Sequence, residues 1–83
     1  MKRLPLYKPA AQRELSRMDR SDAERVIRAL EVFATTGHGD VKALKGALKG
    51  RYRLRVGKWR AFFSLDQPGS MVVIDIDNRG QAY

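Results

Sequence analysis

The sequence predicts an α+β fold of two layers: an N-terminal strand, an antiparallel helix pair, then C-terminal antiparallel strands with the helices on one sheet face. Three observations lead there. Apolar residues recur at helical spacing only between Pro9 and Gly37, two-residue alternation governs Arg51 to Val56, and Gly57-Lys58 joins that run to a second one, Trp59 to Leu65. At 83 residues the chain has room for one domain, 1–83, near the lower size limit for a self-sufficient core.

Arg3 to Tyr7 reads as a short strand, and Pro5, which cannot donate to a ladder, places it at a sheet edge. Pro9 suits a first helical turn, and Ala11, Leu15 and Met18 then fall on one stripe of a helix over Pro9 to Met18. Ser21-Asp22-Ala23-Glu24 has the form of a capping box, so a second helix is expected to start at Ala23 or just before. Its apolar face is Val26, Ile27, Leu30, Phe33 and Ala34, Glu24 pairs with Arg28 outside, and Gly37 ends it. Thr36 to Asp40 is a loop. Val41 to Gly50, with Gly46 in its middle, reads as a mobile basic connector rather than a helix. Pro68-Gly69 predicts a type II turn before a last strand, Met71 to Asp77, with Val72, Ile74 and Ile76 on one face and Val73, Asp75 and Asp77 on the other.

The central hairpin carries the functional signal. With Gly57 and Lys58 as a two-residue turn, counting outward pairs Val56 with Trp59, Arg55 with Arg60, Leu54 with Ala61, Arg53 with Phe62 and Tyr52 with Phe63. Opposed residues share a face, so Tyr52, Leu54, Val56, Trp59, Ala61 and Phe63 form the core side, and Arg53, Arg55 and Arg60 gather beside Phe62 on the other. Arg55 opposite Arg60 puts like charges together, which calls for a compensating anion, wide solvation or a use. A phosphate site and a plain solvated face both account for the alternation.

Between Val41 and Ala61 stand Lys42, Lys45, Lys49, Arg51, Arg53, Arg55, Lys58 and Arg60 with no acidic residue among them, in a chain of net charge +8. Such a balance points to polyanionic partners: nucleic acid, an anionic membrane surface or an acidic protein. Cysteine is absent and His38 is the only histidine, which argues against disulfides and a zinc site, and no cofactor or metal is expected. The basic N-terminus lacks the apolar stretch of a signal peptide and no segment reaches the length of a membrane span, so a cytoplasmic protein without membrane association is expected.

Leu44-Lys45-Gly46, then Tyr52-Arg53-Leu54-Arg55-Val56-Gly57-Lys58-Trp59-Arg60, then Val72 to Asp77 with Asn78-Arg79 and a final Tyr83, resembles the RelE/ParE superfamily of toxins along the whole chain. The resemblance implies a toxin of a type II toxin–antitoxin system, held inactive by a cognate antitoxin. RelE-like members are ribosome-dependent endoribonucleases, or mRNA interferases, that cut messenger RNA and so inhibit translation; ParE-like members inhibit DNA gyrase instead. The RelE-type catalytic set maps onto Arg53, Arg55, Arg60, Arg79 and Tyr83, with Lys42, Lys45, Lys49, Arg51, Lys58 and Phe62 left for general RNA binding and stacking.

In that reading the ribose 2′-hydroxyl attacks the adjacent phosphodiester, guanidinium groups stabilise the charged transition state, Arg79 faces the leaving oxygen, and Tyr83 either stacks on a base or helps place the attacking hydroxyl, with Phe62 as a second stacking plane. Arg79 also has a structural alternative, an ion pair with Asp75 or Asp77. Best-understood RelE members carry lysines where this chain has Arg53 and Arg55, and arginine is a poor general base but a good bidentate phosphate clamp. A second branch uses a Glu and a His, which the basic half of this chain lacks.

Overall fold

The chain runs through β1 (Leu4–Tyr7), α1 (Pro9–Arg17), α2 (Arg20–Thr36), β2 (Val41–Ala43), a single 3-10 turn at Gly46–Leu48, β3 (Arg51–Val56), β4 (Trp59–Ser64) and β5 (Ser70–Asn78). Residues 2–78 are described by the computed structural model. The sheet order is β1-β5-β4-β3-β2; β3, β4 and β5 pair antiparallel, as expected, while an additional strand β2 pairs antiparallel with β3 and β1 runs parallel to β5. The sheet is therefore mixed. A parallel pair needs a long crossover, and everything between β1 and β5 supplies one.

Both helices lie on one face of this sheet, α1 against β5 and α2 against β1 and β3. The core between the layers joins Ala11 of α1 and Val26, Leu30, Phe33 and Ala34 of α2 to Leu54, Ala61, Phe63, Met71, Val73 and Ile76 of the strands. Phe63 is its centre: Tyr52 stacks on it with centroids 5.4 Å apart, and Phe33 meets it at 5.3 Å and a 53° tilt. The β3–β4 register matches the one counted from the sequence at every pair from Tyr52–Phe63 to Val56–Trp59. Gly57 takes φ 59 and no non-glycine residue among the described ones has positive φ, the pattern of a type II′ turn that only glycine enters without strain at its first position. At the other end of β4, Ser70 N–H donates to Gln67 O at 3.1 Å and Gly69 has φ 75, which closes the expected type II turn. Arg3 secures that turn, with Nη1 donating to the carbonyls of Leu65, Gln67 and Ser70 at 3.1, 3.3 and 2.7 Å.

Four expectations are corrected. Helix α2 begins at Arg20 with Asp19 as its cap residue and no side-chain capping bond, because only Met18 and Asp19 separate it from α1 and Ser21 already lies inside the first turn. Glu24 pairs with Arg20 at 3.5 Å, not with Arg28. The supposed connector Val41 to Gly50 holds a strand and a 3-10 turn: β2 pairs Val41, Lys42 and Ala43 with Leu54, Arg53 and Tyr52, and Leu44 N–H donates to Arg51 O at 2.9 Å. Finally, β5 does not keep a single alternation. A bulge opposite Phe62 and Phe63 makes Ile74 the extra residue, so the core side changes from Met71 and Val73 to Ile76, and Asp75 and Asp77 land on the open face.

Tyr7, at the end of β1, is half-buried beside α2 with a hydroxyl that has no hydrogen-bond partner among the described residues. Burial, and secondarily the charge of Glu31, push its pKa up to about 12. Among the described residues no helix is long and apolar enough to cross a membrane.

Candidate nucleic-acid interface

On the sheet face away from the helices, the register sets side chains in cross-strand rows. One row runs Asp77, Arg60, Arg55 across β5, β4 and β3, and the next runs Asp75, Phe62, Arg53, Lys42 as far as β2. Cations collect toward β2 and β3, carboxylates toward β5. Over the cationic side lies a cleft of about 450 Å³ lined by Lys42, Lys45, Arg53, Arg55 and Arg60 together with Ala43 and Leu44. β2 makes this possible: its pairing with β3 sets Lys42 beside Arg53, and the chain leaving it brings Lys45 to the rim.

The three arginines are held differently. Arg53 is only 12 % exposed; its Nη2 stands 3.8 Å from Asp40 Oδ1, and its Nη1 is buried without a hydrogen-bond partner among the described residues. A buried donor left unpaired costs on the order of 1–3 kcal/mol, more when charged, and an entering phosphate oxygen would remove that cost. Arg60 is 14 % exposed and forked onto Asp77, Nε to Oδ1 at 3.1 Å and Nη2 to Oδ2 at 3.4 Å, with its guanidinium 6.0 Å from the centre of the Phe62 ring. Asp77 is thus the anion that the Arg55–Arg60 opposition requires. Arg55 is exposed on the cleft wall.

Of the residues singled out from the sequence, the structure brings Lys42, Lys45, Arg53, Arg55 and Arg60 together. Lys49 and Arg51 line a neighbouring cleft, and Phe62 shares a smaller notch with Arg51. Lys58 is not brought in: it sits on the hairpin turn with Nζ 5.5 Å from the Trp59 ring, on the core side of the sheet. Arg79 and Tyr83 lie outside the described residues. Asp40 and Asp77 escaped the sequence reading as site residues. Asp77 carried a usable signal, its two-residue spacing from Asp75 on a strand antiparallel to Arg60, but Asp40 became legible only once β2 existed. Among the described residues no three His, Cys, Asp or Glu converge as metal ligands.

The fold and site define a class: small α+β proteins with a helix pair on one sheet face and a cationic groove on the other. Residues 6–83 match the family of ParE toxins of type II toxin–antitoxin systems, and the chain belongs to that family, within the RelE/ParE superfamily. No curated protein matches its sequence. Its fold is similar to that in the toxin–antitoxin complex RelBE2 from Mycobacterium tuberculosis, with TM-score 0.82 and 20 % identity over 95 % of this chain and 100 % of that one. It is similar as well to the archaeal RelE–RelB complex from Pyrococcus horikoshii, TM-score 0.78 and 18 % identity over 99 % and 100 % of the two chains. The YoeB/ParE toxin from Agrobacterium tumefaciens follows at TM-score 0.74 and 18 % identity, over 94 % of this chain and 98 % of that one.

Proposed function

We propose that this toxin is a ribosome-dependent, metal-independent endoribonuclease that cuts messenger RNA by attack of a ribose 2′-hydroxyl on the adjacent phosphodiester. The observation that carries the reading is the cleft that brings together Lys42, Lys45, Arg53, Arg55 and Arg60, with Arg53 Nη1 buried and without a hydrogen-bond partner among the described residues. Attack of O2′ forms a cyclic 2′,3′-phosphate, expels the 5′-oxygen and builds negative charge on the phosphate oxygens, where fixed guanidinium donors stabilise the transition state more than the ground state. Arg53 and Arg55 clamp the phosphate, Arg60 supplies charge from the next strand, and Arg79 and Tyr83 take the leaving oxygen and a base. Arginines are poor proton acceptors. The proton of the 2′-hydroxyl therefore leaves to another base, and the ribosome holds the substrate in line.

The partner in this reading is an acidic, partly disordered antitoxin that neutralises the cationic face; the RelBE2 and RelE–RelB neighbours were solved as toxin–antitoxin complexes. The family match to ParE toxins favours a second reading, inhibition of DNA gyrase without RNA cleavage. Primer extension on translating ribosomes and a gyrase supercoiling assay, both run with purified protein, separate the two. New message ends within the A-site codon, lost in Arg53→Ala/Arg55→Ala and suppressed by antitoxin, are the expected result. Blocked supercoiling with intact message would establish the second reading instead.

A further inference from the structure

Next to the cationic cleft, and sharing Leu44 with it, lies a notch of about 240 Å³ lined by Leu44, Leu48, Arg51, Phe62, Ile74 and Asp75. Its composition differs from the cleft's. Apolar side chains and one aromatic ring make its floor and walls, and the two ionic groups at its rim have opposite sign. Those two come from different strands, Arg51 from β3 and Asp75 from β5, with β4 and its Phe62 between them. The β5 bulge is what creates the notch, because it turns Asp75 onto this face directly opposite Phe62. Asp75 Oδ1 accepts from the N–H of Ile76 at 2.8 Å, which fixes the carboxylate of a side chain that is itself exposed.

We propose that this notch is a nucleobase subsite selective for guanine. The inference rests on the reading of the adjoining cleft as an RNA site and names the base that site prefers. The rows supply the order of contacts: Lys42 and Arg53 take a phosphate, and the same row continues to Phe62 and Asp75, so a nucleotide lying across the strands places its base on the Phe62 ring. The rim then selects. A carboxylate only accepts hydrogen bonds and a guanidinium only donates them. Guanine presents two adjacent donors, N1–H and the N2 amino group, toward one side and the acceptors O6 and N7 toward another. Asp75 meets the first pair and Arg51 the second, the arginine–guanine contact being the commonest specific one in nucleic-acid recognition. Adenine, cytosine and uracil each turn a lone-pair acceptor toward the carboxylate beside their single donor, and that repulsion disfavours them.

The test uses four non-cleavable 2′-O-methyl trinucleotides that differ only in the middle base, titrated against the purified chain and its variants. The guanine trinucleotide is expected to bind at least about tenfold more tightly than the other three. Asp75→Asn, which keeps the Oδ1 acceptor for Ile76 and so preserves the fold, removes that preference and leaves the dependence of affinity on salt unchanged. Arg53→Ala weakens all four equally. Equal affinities for the four in the unsubstituted protein, or a guanine preference that survives Asp75→Asn, would overturn the base assignment while leaving the RNA reading of the cleft in place. No binding of any trinucleotide would overturn both.

Discussion

The two faces of one sheet have opposite designs. Toward the helices, Leu54, Ala61, Phe63, Met71, Val73 and Ile76 are buried against α1 and α2, and their contribution comes from burial and fit. Toward solvent, the alternate positions of the same strands hold Arg53, Arg55, Arg60, Asp75 and Asp77, where opposed like charges and a donor without a partner among the described residues persist. Buried polar atoms without a partner among the described residues occur on both faces, the Tyr7 hydroxyl and Trp59 Nε1 toward the helices and Arg53 Nη1 toward solvent, but the opposed like charges lie on the face that does not build the core. The covered face therefore sets whether the protein folds, and the open face sets what it binds.

The largest way to break this contrast is Phe63→Ala. Truncating a fully buried aromatic at the centre of a small core is expected to cost about 3–5 kcal/mol, enough to unfold much of the population at ambient temperature, whereas Arg55→Ala leaves the chemical denaturation midpoint nearly unchanged. Equal destabilisation by both would erase the division between faces.

A smaller effect sharpens the open face itself. Asp77 competes with any ligand for Arg60, so Asp77→Asn is expected to raise RNA affinity several-fold and to steepen the salt dependence by about one counterion. Because Asp77 is 43 % exposed, the same change alters stability by no more than about 1 kcal/mol. Weaker binding in Asp77→Asn would instead make the carboxylate a positioning group for Arg60.

The smallest effect belongs to Tyr7, half-buried on the helix side of the sheet. Its folded pKa of about 12 lies above the ordinary value of 10.0, so between these values the folded chain keeps a proton that the unfolded chain has lost. Its contribution to stability is thus complete below pH 10.0 and declines as the pH rises toward 12. Ultraviolet titration should show one of the tyrosines ionising late, and Tyr7→Phe should remove that phase with a stability change within about 0.5 kcal/mol, since the hydroxyl has no partner to lose. Normal ionisation of every tyrosine would contradict the burial.

Local chemistry determined much of this molecule. Gly57-Lys58 dictated a tight turn, the alternation around it dictated which side chains share a face, and Gly37, at φ 82, and Pro9 bounded the helical segment, because each of these depends on residues a few positions apart. Tertiary structure decided the rest. β2 has only three residues and no signature of its own; it is a strand because β3 offers it an unpaired edge. The bulge at Ile74 follows from fitting Val73 and Ile76 into one core, and it alone turns Asp75 and Asp77 toward the arginines. Register between distant strands is set by the summed packing of the whole core, which no short stretch of chain encodes, so the cations were legible in the sequence, Asp77 was visible only through its spacing from Asp75, and Asp40 emerged only from the fold.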